Sequence, residues 1–249
     1  MTSPTAAANA TATPIHEIGR AWMLDHDTVV RGAELGMDQK FSFWLHGRAG
    51  VLGDVHADVV AAAIAFMAPD KVAELWDGNA PANLPPRRRS DEYAAAAGRW
   101  GDRVFADVAA EDLERTTTLA ARVALSADPS LGVLFAGWRN ITLPSTPAGA
   151  AVIALNALRE LRGAAHIIAV HAVGLGPHGA IMSTEDSVRG GVAGAERFGW
   201  GHPHPVPDPE KRANSEMLTT LMASHSYDSL TEAERTEFVD LVTVLRSLF

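Results

Sequence analysis

PAGAAVIALNALRELRGAAHIIAVHAV, residues 147–173, is the stretch whose reading decides the fold. It follows an oxygen-bearing cap and begins on proline (Thr146-Pro147), the usual chemistry of a helix start. It is apolar on nearly every side, so it predicts a long helix enclosed by neighbours. The polar residues of an enclosed helix need partners. At about 100° per residue, Arg159, Arg162 and His166 project within about 60° of one another, and Asn156, Glu160 and His171 form an adjacent strip of about the same width. An arginine or glutamate buried without a partner is strongly destabilising. Two readings stand open. In one, the group is an internal lock, with Glu160 paired to an arginine of another helix and His166 bonded to a backbone carbonyl. In the other, it is the floor of a pocket for an anionic or hydrogen-bonding small molecule. Arg159 and Arg162 would then be the recognition forks, and Glu160 and His166 would be candidates for acid/base catalysis.

Outward from this helix, the same start signal recurs at Thr13-Pro14, Asp128-Pro129 and Asp208-Pro209. Asp54 reads as a further cap, and Thr231 with Glu234 has the spacing of a capping box. The capping box precedes a stripe of Phe238, Leu241, Val242, Leu245 and Leu248. Helices are predicted over 90–108 and 110–126. Continuous helix is forbidden over 77–89, which contains Gly78, Asn79, Pro81, Pro85 and Pro86, and over 199–209, which contains Pro203, Pro205, Pro207 and Pro209. Alanine runs such as residues 94–97, with few aromatic residues, favour helix over sheet. The fold class is therefore all-α, a multi-helix bundle. Residues 1–13, rich in Thr and Ala, read as a disordered tail, with an N-terminal helical half over 14–126 and a C-terminal half over 127–249 sharing one core. Arg48, Leu52 and Ala57 recur at a constant offset as Arg139, Leu143 and Ala148, a pattern that suits two duplicated halves.

A net charge of −9 repels phosphate backbones and disfavours nucleic acid as a partner. The absence of cysteine removes disulfides, thiolate metal sites and cysteine nucleophiles. Charges interrupt the most apolar stretch, which argues against a membrane span, and the chain reads as cytoplasmic. No nucleotide-binding glycine loop or serine-hydrolase elbow is present, and no cofactor is indicated. Arg87, Arg88 and Arg89 read as a solvated loop. His202 and His204 lack a third nearby ligand in sequence, and His166 and His171, about 140° apart, cannot chelate one ion, so no metal site is assigned. Trp44, His46, Arg48, Trp138, Arg139 and Asn140 precede the two helices of the possible repeat. There they would either line a pocket mouth or, for the indoles, anchor the core.

The segments RGAELG (31–36), GRAGVLGDVHADVVAAA (47–63), LFAGWR (134–139), LNALRELRGAAH (155–166) and FGWGHPHP (198–205) resemble a family of actinobacterial proteins commonly labelled helix-turn-helix. The resemblance implies an all-helical fold distantly similar to winged-helix regulators, and it supplies no ligand or reaction. One stretch departs from the pattern. Relatives most like true winged-helix proteins have an arginine-bearing helix and a wing after the RGxxH block. Here MSTEDSVRGGVAGAERFGW (182–200) is glycine-rich and offers Arg189 and Arg197 against Glu185, Asp186 and Glu196, so no recognition helix is expected. The leading expectation is a helical homodimer that binds a small molecule, with Asn156, Arg159, Arg162, Trp138, Arg139, His46 and Arg48 as ligand-binding residues. Its alternatives are an enzyme using Glu160 and His166, and a DNA-binding regulator.

Overall fold

The computed structural model describes residues 1–39, 41–78, 80–185 and 190–249, and among them it contains thirteen α-helices and no strand. Asn79, Asp186 and Arg189, which figured in the sequence reading, lie outside the described residues.

The long apolar stretch is helix α9, Pro147–Ala172. Thr146 caps it, its Oγ1 accepting from the Gly149 N–H at 3.3 Å. At the other end Gly174 takes φ +67°, a conformation that favours glycine. The Gly174 and Leu175 N–H groups donate back to the carbonyls of His171 and Val170, closing the helix with a Schellman motif. The preceding helices are α1 (Pro4–Met23), α2 (His26–Glu34), α3 (Ser42–Ala49), α4 (Ala57–Ile64), α5 (Pro69–Gly78), α6 (Pro86–Val104), α7 (Ala110–Ser126) and α8 (Val133–Trp138). After α9 come α10 (Gly176–Met182), α11 (Gly191–Arg197), α12 (Pro209–Ser224) and α13 (Glu232–Arg246).

Helices α1, α6, α7, α8 and α12 pack around α9. Its apolar residues, among them Val152, Leu155, Leu158 and Leu161, form the centre of a core that runs from Ala7 to Leu245. A second cluster joins α3, α4 and α5 through Leu45, Val60, Ile64, Leu75 and Trp76. A small third one sets Ile181, Met182 and Ala195 against Phe66, Phe198 and Trp200. No single helix among the described residues is long and apolar enough to cross a membrane.

Several local expectations meet the structure directly. Asp208 accepts from the Lys211 N–H (2.9 Å), and Thr231 and Glu234 form the capping box that starts α13. Four are corrected. Residues 1–13 are ordered: Ser3 caps α1, Ala7, Ala8 and Thr11 are buried, and the Thr11 hydroxyl lies 2.9 Å from that of Tyr227. Alanine and threonine here supply a narrow helix face that fits between α12 and α13, and Thr13-Pro14 falls inside the helix instead of starting it. Asp54 is not a cap, because α4 is capped by His56, whose Nδ1 accepts from the Asp58 N–H at 3.2 Å. Arg87, Arg88 and Arg89 form the first turn of α6, where Pro86 is suited to the first helical position. Arg89 is buried, donating to the Leu84 carbonyl (2.7 Å) and to His46 Nδ1 (2.9 Å).

Candidate functional site

Burial divides the polar residues of α9. Glu160 faces inward at 1% exposure, and Arg48, from the last turn of α3, grips both its oxygens: Nε to Oε1 and Nη2 to Oε2, each 2.8 Å. Arg159 adds a third bond to Oε1 at 3.2 Å. Burial raises the carboxyl's pKa, but the Arg48 and Arg159 guanidinium groups outweigh it and hold Glu160 below the usual carboxylate range. Arg48 is fixed from behind by Trp138, whose indole N–H donates to the Arg48 carbonyl at 2.9 Å, and its guanidinium lies 5.1 Å from the Trp44 ring.

One turn along, Arg162 Nη2 and Arg212 Nη2 reach the two oxygens of Glu216 at 2.5 and 2.7 Å. Arg212 Nη1 also lies 2.8 Å from His166 Nε2. A guanidinium only donates, so Nε2 is the acceptor and the proton sits on Nδ1, which donates to Thr219 Oγ1 at 2.9 Å. Burial, together with Arg212 and Arg162, lowers the His166 pKa to about 4 against the opposing pull of Glu216. The ring is neutral at pH 7 and stacks on Phe66, with centroids 5.4 Å apart.

Both clusters border one cavity of about 990 Å³ between α1, α4, α9, α10 and α12. Arg48, Arg159, Glu160, Arg162, His166, Arg212 and Glu216 supply its polar lining, with His16, Glu17 and Arg20 from α1 and Asp58 from α4. The rest is largely apolar, including Ile15, Ile64, Phe66, Leu134, Ile167 and Phe198. Val59, Val133 and Ile168, each at least 40% exposed, line it where it meets solvent. Gly19 lets α1 approach α9 at this point, since a Cβ there would stand 2.5 Å from Arg159 Cδ.

The structure thus brings Arg48, Arg159, Arg162, Glu160 and His166 together on one wall. The other sequence candidates lie elsewhere. Asn156 is buried at 2% exposure, with no hydrogen bond to its amide among the described residues, and is not part of the lining. Trp138 is a core residue, and Arg139 donates to the Ala127 carbonyl (2.7 Å) beside the Phe135 ring. His46 is fully buried, its Nδ1 accepting from Arg89, its Nε2–H donating to the Leu75 carbonyl (3.0 Å), and its ring stacked on Trp76. His171 is exposed. Residues that sequence reasoning missed are Arg212, Glu216 and Thr219. They lie on an ordinary-looking amphipathic segment, and only the packing of α12 on α9 reveals them.

Chemically, the two candidate proton-transfer groups of the wall are already engaged. Glu160 is clamped as a carboxylate, and both nitrogens of His166 are engaged on a ring that resists protonation.

Fold and site define an all-α protein with a large, mostly apolar cavity lined along one side by arginines. The chain belongs to a helix-turn-helix family, whose model matches residues 6–204. No curated protein matches the chain. No solved structure does either.

Proposed function

We propose that this protein binds a small amphipathic anion, with a carboxylate or similar headgroup and an apolar body, in the cavity beside α9. The observation that carries this reading is the meeting of Arg162 and Arg212 on a single carboxylate, Glu216, in a cavity whose lining is otherwise more apolar than polar. Two guanidinium groups sharing one carboxylate keep N–H donors and positive charge for a second anion, in a chain whose net charge is −9. The apolar walls suit the body of such a ligand, and exposed Val59, Val133 and Ile168 mark its way in.

The test is native mass spectrometry of protein purified from its own host, followed by thermal melts with a series of straight-chain carboxylates of increasing length. The expected result is a retained small-molecule mass, or a melting temperature that rises with chain length and falls back when Arg162 and Arg212 are both changed to Met. Losing charge-assisted hydrogen bonds of this kind should weaken binding roughly 10- to 100-fold. A clean apo mass together with no shift for any carboxylate would overturn the proposal.

Family membership favours a second reading, a DNA-binding regulator. Its test is a gel shift with genomic fragments at low salt, where phosphate contacts are strongest. A shift that disappears when a carboxylate is added would join the two readings into one ligand-responsive regulator.

A further inference from the structure

Beside α10, folding assembles a group of histidines that sequence spacing does not reveal. His202 and His204 lie in the extended segment between α11 and α12, and Glu196 lies on the last turn of α11. One ligand atom from each of Glu196, His202 and His204 falls within 4.8 Å of the others, and His202 Nε2 is 3.8 Å from Glu196 Oε1. His178, from α10, supplies the support: its Nε2 lies 3.0 Å from His204 Nδ1, and its ring stacks on Trp200 with centroids 4.7 Å apart. Trp200 is anchored in turn by its indole N–H to the Phe66 carbonyl at 3.1 Å. The other nitrogen of His204, Nε2, is buried and has no hydrogen-bond partner among the described residues.

We propose that Glu196, His202 and His204 form a binding site for one divalent transition-metal ion of the zinc class, with His178 orienting His204 through its ring nitrogen. Two arguments converge on this. Two imidazoles with one carboxylate are a donor set for zinc-like ions, whereas magnesium and calcium prefer oxygen alone. A metal-bound histidine characteristically engages its second nitrogen with a fixed partner, as His204 does with His178. Ligand atoms about 2.1 Å from a tetrahedral ion stand about 3.4 Å from one another, so His202 and Glu196, both exposed, need only small side-chain movements to close on it. With three protein ligands, the fourth position is open to water. The ion would tie the segment after α11 back to α11 itself, next to Phe198, which lines the cavity.

The experiment is calorimetric titration of untagged, full-length protein with Zn²⁺, paired with the visible absorption spectrum of its Co²⁺ form. The expected result is one ion per chain and a Co²⁺ spectrum of low-symmetry nitrogen and oxygen coordination, both weakened in acid because metal ligands must be deprotonated to bind. His202→Ala and Glu196→Gln alter exposed side chains and leave the fold intact, as circular dichroism checks. Each should weaken binding at least about 10-fold, and His178→Ala, which removes only the supporting partner, should weaken it roughly 10- to 100-fold. No stoichiometric binding, or binding that survives both His202→Ala and Glu196→Gln, would overturn the site. So would binding abolished by His56→Ala, which would move the ion to the exposed His56 and Asp58 pair.

Discussion

Glu160 shows what one residue costs and contributes in this molecule. It is a carboxylate at 1% exposure in the middle of an apolar helix, tolerable only because Arg48 meets both its oxygens. Removing one partner of such a pair is far more damaging than removing both. Arg48→Met should therefore destabilise the fold by about 3–5 kcal/mol in urea denaturation, and Arg48→Met with Glu160→Met should recover part of that loss. Additive losses in the double variant would mean that the two groups do not depend on each other. The sequence shows that Glu160 needs a partner, because face analysis puts it in an enclosed strip. It cannot show which arginine answers. Arg48 and Glu160 are 112 positions apart, and α4 to α8 intervene in the chain.

Among the elements, α1 separates local reading from tertiary outcome most clearly. A run of Ala and Thr looks like a tail because it has no large apolar residue to bury. In the folded protein the small side chains let the start of α1 fit against α12 and α13, with Thr11 against Tyr227, and Gly19 later in the helix lets it approach α9 at Arg159. A variant lacking residues 1–13 should lose the buried face of Ala7, Ala8 and Thr11 and open the cavity wall formed by Ala8 and Ala12. Its melting temperature is expected to drop by several degrees, and any carboxylate-induced stabilisation should weaken with it. A truncated protein as stable as the full chain would restore the reading of these residues as a dispensable tail. Capping chemistry was legible at α9, α12 and α13, because a cap is written within four consecutive residues. It misled at Thr13-Pro14 and Asp54, where packing extended one helix and shifted the start of another.

At the scale of the whole molecule, the two buried histidines make stability depend on pH. Burial together with neighbouring arginines lowers His46 and His166 to about 4 in the folded state, against about 6.5 when unfolded. Between those values the unfolded chain binds protons that the folded chain does not. The stability these groups contribute is complete above about pH 6.5 and is lost as pH falls toward 4. Glu160, also held low, adds a loss only below about pH 4.5, as pH falls toward its folded value. Unfolding free energy should therefore decline by roughly 2–4 kcal/mol between pH 7 and pH 5, before ordinary carboxylates titrate. Denaturant melts across that range check it, and a flat profile would show that neither histidine is held neutral.

The sequence by itself determined that this chain is a helical bundle around residues 147–173, where most of its helices break, and that α9 carries a polar strip needing partners. These are properties of short windows: residue periodicity, caps and prolines act over three or four neighbours. Only the tertiary structure decided that Arg48 locks Glu160, that Arg212 and Glu216 join Arg162 and His166, and that His178 reaches His204. Those pairings depend on which helix faces fit closely enough to exclude water. Close fit is set by the sizes of side chains far apart in the chain, such as Gly19 against Arg159, and no local pattern records it.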